Sequence, residues 1–475
     1  MSQLLSCVLP SEYDPRQWSK RKRWTIALII WNLIAPIDIA STFYSGVQGQ
    51  IQDEFATSNT VATLGVGLYN LGAVFGVLFG GPLSELYGRR PVYIILSTCF
   101  VVFSLGSTFS PNLSTLLICR GFMGLLGSPV FSIYGGSVAD LFTPEERGPV
   151  VALFTLVLQG APTIGPVPSS SLGPIFPWRW LFGFITIWGG VLAAVTILFV
   201  PETEPTTIRR KIAESKGVVP DIGEIQFSKA KIWRRALLTP ITMLRNEPIM
   251  IWTTLYHSFV YGLLFLLEAY PHIYDSHYSM SREQTGLVFV SPFIGNVLGV
   301  LIYFGYHKPQ YEARQRVIQI ESGGKSEIEP EARLPGVLLA SLLTPIGLFW
   351  LTFSAHPDLS LFNYYIDLYP TMSASAIAAN SAVRNIAATV LPSVGLPLYT
   401  SLGIRNANVL LACISCIGLP TGVILYVFGR RLRAASRWAK QAADAGSLSH
   451  QSVEPSAPLL AQYPQNHYGG TSSSD

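Results

Sequence analysis

A succession of apolar runs, each about 20 residues long, leaves this chain few ways to fold. They lie at roughly 24–46, 61–80, 92–110, 113–138, 149–171, 180–200, 248–272, 284–304, 336–355, 374–400 and 406–428, with a charged loop expected over 305–335, basic at Arg314, Arg316, Lys325 and Arg333. In hydrocarbon every backbone N–H and C=O of such a run must bond within its own segment, so each reads as a transmembrane α-helix. The cluster Lys20, Arg21, Lys22, Arg23 holds the amino terminus in the cytoplasm, and the basic stretch 201–247 (Arg209, Arg210, Lys211, Lys229, Lys231, Arg234, Arg235) separates the first six runs from the rest. The expected organisation is an all-α, multi-pass membrane protein. Residues 1–23 form a cytoplasmic segment, 24–200 a first bundle, 201–247 a linker, 248–430 a second bundle, and 431–475 a polar tail too poor in apolar residues to bury a core.

Eleven crossings that begin inside would leave the basic tail at Arg430, Arg431 and Arg433 outside, against the charge rule. A twelfth span is therefore sought between 356 and 373, where only Leu361 to Tyr369 are available. Nine residues rise about 14 Å against a core of about 30 Å. The tenth helix is expected to be truncated and irregular, a shallow re-entrant or partial helix rather than a full span, through deletion or a misplaced exon boundary.

Charged residues make up 13% of the chain, about half the usual share, and the excess positive charge sits in cytoplasmic loops. Neither a nucleic-acid surface nor an enzyme is expected, since no nucleophile–base pair, metal cluster or phosphate loop stands outside the apolar runs. No cofactor or metal is expected. Cys99, Cys119, Cys413 and Cys416 lie inside apolar runs and read as packing residues.

Between the second and third runs, the stretch Gly81 to Pro91 forms a polar hinge containing Glu85, Gly88, Arg89 and Arg90. Two arginines there place it in the cytoplasm, and topology alone would account for them. Gly65, Gly72, Gly76 and Gly80 share one face of the second run, and Gly121, Gly124 and Ser128 one face of the fourth, which reads as close helix contact. In the fifth run Pro162, Gly165 and Pro166 bend the helix and remove backbone hydrogen bonds.

The hinge pattern resembles the loop between helices 2 and 3 of the major facilitator superfamily. Arg120 to Gly124, the run Gly135 to Gly148, Trp178 to Trp180, Pro201 to Thr203, Glu268 to Pro271 and Pro330 to Pro335 resemble its fungal drug:proton antiporter branch, nearly end to end from Ser45 to Arg431. The resemblance implies two six-helix bundles with a substrate cavity between them. It also implies a cytoplasmic gate built from Gly81, Glu85, Gly88, Arg89 and Arg90 with Asp140, Glu146 and Arg147. Pro162, Gly165 and Pro166 match the antiporter segment of helix 5, although its final glycine pair here reads Ser169-Ser170.

Charges inside the membrane cost several kcal/mol unless paired or hydrated, so function is sought there. Asp38 lies about 14 residues, roughly 21 Å, along the first span, and Arg120 reaches the same depth from the other side. The resemblance implies that this acid and arginine exchange a proton for substrate; a static salt bridge is the alternative. His257, Tyr261 and Glu268 share a face of the seventh span and read as cavity-lining, with interfacial snorkelling an equal account of Glu268. Arg384 matches the family without an assigned role. The expected activity is export of amphipathic organic molecules in exchange for protons, by a monomer at the plasma membrane rather than the vacuolar one. A proton-independent facilitator and a non-transporting remnant are the alternatives.

Overall fold

The computed structural model describes residues 13–215, 229–266, 281–321 and 376–390, with isolated positions between 398 and 431. Among the described residues every regular element is a helix. The first half runs α1 (Lys20–Thr42), α2 (Tyr44–Phe55), α3 (Asn59–Tyr87), α4 (Arg89–Thr108), α5 (Leu113–Gly127), α6 (Pro129–Leu141), α7 (Pro144–Ile164), α8 (Pro166–Leu172) and α9 (Trp178–Phe199). The linker holds α10 (Pro205–Ser215) and α11 (Lys229–Asn246), and α12 (Pro248–Leu266) opens the second half. There α13 (Arg282–Leu287), α14 (Val290–Ile302), a π-helical turn at Tyr303–His307 and α15 (Lys308–Glu321) follow one another, and α16 spans 376–390. Seven helical stretches among the described residues are long and apolar enough to cross a membrane, six in the first half and Gln284–Ile318 in the second.

Local chemistry sets the helix starts. Ser19, Ser58 and Asn112 each cap a helix by accepting from a main-chain N–H three residues on, and Ser281 forms a reciprocal capping box with Gln284. Pro129 and Pro166 stand at first helical positions, where a missing N–H costs nothing, so the fourth and fifth spans break into α5/α6 and α7/α8.

Two sequence readings change. The hinge at 81–91 contracts to one residue: α3 runs on to Tyr87, and Gly88, at φ +95°, alone turns the chain into α4. The charged stretch expected as a loop from 305 is helical to Glu321, because Glu, Arg and Gln are good helix formers and Lys308 pairs with Glu312 one turn on at 3.6 Å. The proposed short tenth helix, 356–373, lies outside the described residues, as does Glu268.

Glycines let α3 meet α5 and α6 backbone to backbone. A Cβ on Gly72, Gly76 or Gly80 would overlap the carbonyl of Gly121, Leu125 or Pro129, and Ser128 Oγ donates to Ala73 O at 3.1 Å. Buried Trp31, Tyr134 and Phe154 tie α1, α6 and α7 together: Trp31 Nε1 donates to Tyr134 Oη (3.1 Å), and the Tyr134 and Phe154 rings stack. Ile377 and Ala378 of α16 join this same core, with Ile377 filling the space left open by Gly135. The halves meet again at Gly160 of α7, where a Cβ would stand 3.0 Å from the Phe293 ring, and at Gly286 of α13, where one would stand 2.7 Å from the Ser170 side chain. Outward faces such as Ile95, Val102, Phe184, Ile187 and Leu198 are exposed and apolar, as lipid contact requires.

Candidate functional site: a buried charge centre and a clamp at the helix ends

The charge centre begins with α1. Its carbonyls from Ile37 to Ser41 are held by side chains of other helices: Tyr69 Oη donates to Ile37 O (2.6 Å), while Arg120 donates to Ala40 O, to Ser41 O (3.3 Å) and to Gly65 O of α3 (2.9 Å). The fully buried Arg120 guanidinium also lies over the rings of Tyr44 and Tyr69, 4.9 and 4.6 Å from their centroids. Main-chain oxygens and aromatic faces therefore solvate this cation, and it clamps α1 to α3 and α5.

Asp38, 5% exposed, sits in the middle of the clamped stretch, and its Oδ2 has no hydrogen-bond partner. The structure places Asp38 and Arg120 in one neighbourhood, with Tyr69 within electrostatic reach of both, but the bonds named above take Arg120 to carbonyls. The cation that acts on Asp38 is Arg384 of α16, in the other half. Arg384 is 1% exposed, lies 4.1 Å from the centroid of the Tyr261 ring, and leaves Nε and Nη1 without hydrogen-bond partners. Tyr261 and His257, one turn apart on α12, are both buried. Gln159 of α7 and Asn296 of α14 add buried amide atoms without partners on helices that touch across the two halves.

The helix-5 motif acts on the same region. Pro166 has no N–H, so the carbonyl of Pro162 four residues back loses its helical partner, and Thr42 Oγ1 of α1 donates to it instead at 2.8 Å. A Cβ on Gly165 would stand 2.5 Å from that hydroxyl, so glycine is needed for the approach. Where the resemblance leads one to expect glycines at 169 and 170, serines stand, and the facing positions Gly46 and Gly286 are the glycines. The close approach is kept with the small residues on the opposite helices.

Where α3 turns into α4, Arg89 Nε donates to Asp140 Oδ2 (3.1 Å) and Nη1 to Ser84 Oγ (2.5 Å), with Glu85 also acting on its charge. Gly81 supplies the carbonyl that accepts from Ser84. Glu146 pairs with Arg23 of α1, and Arg147 donates to the carbonyls of Phe142 and Ala139. Arg90 reaches Ile197 O at 3.0 Å. Sequence reading passed over Glu202. Its carboxylate accepts four main-chain N–H groups, from Arg89 (2.8 Å), Arg90 (3.3 Å), Thr203 (3.0 Å) and Glu204 (3.0 Å), locking the start of α4 to the segment after α9. The only signal was its place in the Pro201 to Thr203 motif. Tyr69 carried no signal beyond its position on the glycine-striped helix.

A profile of the Major Facilitator Superfamily matches residues 28–366. The chain is 32% identical over 467 residues to the efflux pump FUBT of Fusarium oxysporum, covering 92% of this chain and 78% of that one. It is 30% identical over 465 residues to the major facilitator multidrug transporter mdrA of Aspergillus fumigatus, covering 90% and 75%. Among solved structures, the proton:xylose symporter XylE aligns with TM-score 0.59 at 14% identity over 86% of this chain and 96% of that one. The human organic anion transporter MFSD10 aligns with TM-score 0.57 at 16% identity over 84% and 99%. At these identities the structural likeness concerns the fold alone.

Proposed function

The chain belongs to the major facilitator superfamily and is a multi-pass membrane transporter, and on that footing we propose that it exports amphipathic organic molecules in exchange for protons. The observation that carries the reading is the unpartnered Asp38 Oδ2, buried between the halves and opposed by a cation of the other half. A buried carboxyl without a hydrogen-bond partner is costly as a structural element and useful as a proton carrier. Its position between two helix bundles is where alternating access needs the coupling group. The names of the relatives, efflux pump and multidrug transporter, support the direction and the organic substrate.

In this reading Asp38 carries the proton, Arg384 provides its counter-charge across the bundle interface, and Arg120 holds α1 in place through Ala40 and Ser41. Arg89, Asp140 and Glu85, backed by Glu202, hold the cytoplasmic gate, and the work is done by a monomer in the plasma membrane. The test uses sealed vesicles carrying the full chain. A panel of one neutral, one cationic and one anionic amphiphile is followed across an imposed pH gradient. At least one member should move against the proton flow, and Asp38→Asn at equal abundance should stop it. Unchanged pH-driven movement in that variant removes Asp38 from the mechanism.

The saturation of Arg120 by carbonyls favours one part of a second reading, the proton-independent facilitator: an arginine so fully engaged is a clamp in either mechanism. Asp38→Asn that still equilibrates substrate at the wild-type rate without a gradient would select it.

A further inference from the structure

Resting on the export reading above, we infer that the charge centre recognises net-neutral molecules that carry a hydrogen-bond donor beside an acceptor, such as hydroxy-ketones, and that it rejects organic cations. Two side chains carry the inference. Arg384 offers unpartnered donors at Nε and Nη1, and Asp38 offers an unpartnered acceptor at Oδ2; both residues are more than nine-tenths buried and they belong to opposite halves. No salt bridge of 4 Å or less joins them among the described residues, although Arg384 is the cation acting on Asp38. A ligand oxygen that accepts from Arg384 and a ligand O–H that donates to Asp38 would satisfy both at once.

Charge decides the rest. An acid at mid-membrane on its own would invite an organic cation, but here the cation would meet Arg384, with Arg120 behind Tyr69. An organic anion would meet Asp38. Asp38 and Arg384 together carry no net charge, and the charge of Arg120 is taken up by carbonyls and rings, so in a dry interior nothing repays the desolvation of an ion's own charge. The tyrosines whose rings face the two arginines, Tyr44, Tyr69 and Tyr261, are phenols that add no charge at neutral pH. The ionised Asp38 carboxylate is an acceptor only, so the donor of the ligand and the transported proton compete for the same oxygen. Exchange of one for the other follows from that competition.

The experiment measures binding of four compounds of similar size to the full chain in lipid nanodiscs: benzoin, benzoin methyl ether (which lacks the donor), diphenylacetate and benzyltriethylammonium. Benzoin should bind about tenfold or more tighter than each of the other three. In Asp38→Ala, which removes the acceptor, benzoin and its methyl ether should become equal within about twofold, a ratio that partial misfolding does not change, since both are read on the same protein. In Arg384→Gln, benzoin should weaken about tenfold and benzyltriethylammonium should gain. The proposal is overturned if benzoin does not bind, if either ion binds as tightly, or if the benzoin preference survives in Asp38→Ala. Efflux of benzyltriethylammonium in the vesicle assay would overturn this proposal and leave the export reading intact. Absence of pH-driven efflux for every compound, with the binding pattern intact, would count against the export reading alone.

Discussion

The two charged regions of this molecule obey opposite rules. At the end of the first half where α3 turns into α4, Arg89 meets Asp140, Arg23 meets Glu146, and the Glu202 carboxylate is filled by four main-chain N–H groups. At mid-membrane Asp38 Oδ2 and Arg384 Nε and Nη1 are buried without hydrogen-bond partners. Paired charges in the first region hold helix ends in one arrangement. Unpaired charges in the second have interactions still to make, and a proton or a ligand can supply them. Arg120 shows that burial alone does not distinguish the two: it is as deep as Arg384, yet carbonyls and tyrosine rings surround it.

The contrast is open to attack at several points. The largest effect should come from Asp38→Asn, which is expected to lower pH-driven efflux by about 100-fold or more while leaving thermal stability unchanged or raised, because it removes an unpartnered carboxyl from the membrane interior. A fall in melting temperature in parallel with the loss would place Asp38 among the structural charges. At the clamp, Arg89→Gln leaves Asp140 buried without its cation and should cost about 3–5 kcal/mol in denaturant unfolding. Replacing both Arg89 and Asp140 by Met should recover most of that. If the double variant is no better than the single one, the pair does not act as a unit.

Smaller effects refine the comparison. Glu202→Gln keeps one acceptor oxygen for four donors and should cost about 1–3 kcal/mol, with faster cysteine labelling from the cytoplasm at positions lining the gate. Thr42→Val leaves Pro162 O without its donor and should cost about 1 kcal/mol.

The smallest effect belongs to the opposite end of the bundle, where Glu54 accepts from Arg179 Nη1 and Trp178 Nε1. Burial pushes this carboxyl up, but the bonds from Arg179 and Trp178 outweigh it and hold the group below the ordinary carboxylate range. The stability it contributes is present above the unfolded value and is lost as external pH falls through the lower folded value. For so exposed a pair the loss should stay below about 1 kcal/mol. Titrating unfolding of wild type against Glu54→Gln between pH 3 and 6 reads it, and parallel curves would show that the pair contributes nothing.

How far the sequence reached depends on what each property responds to. Apolar runs marked the six spans of the first half and the one at Gln284–Ile318, because membrane insertion responds to local hydropathy. The glycine stripes at Gly72, Gly76 and Gly80 and at Gly121 and Gly124 foretold contact between their helices, since a missing Cβ is a local property with one main use in a bundle. Even the prolines of α7 could be read as lost hydrogen bonds. Their replacement partner, Thr42, lies 120 residues from Pro162 and could not. Equal depth along two helices brought Asp38 and Arg120 into one neighbourhood, but depth is a single coordinate. Which way each side chain turns, and whether a carbonyl or a carboxylate meets the guanidinium, is settled by how the helices rotate against one another. Only the tertiary structure therefore gave Arg120 to the carbonyls of Ala40 and Ser41, set Arg384 opposite Asp38, and brought Glu202 to the first turn of α4.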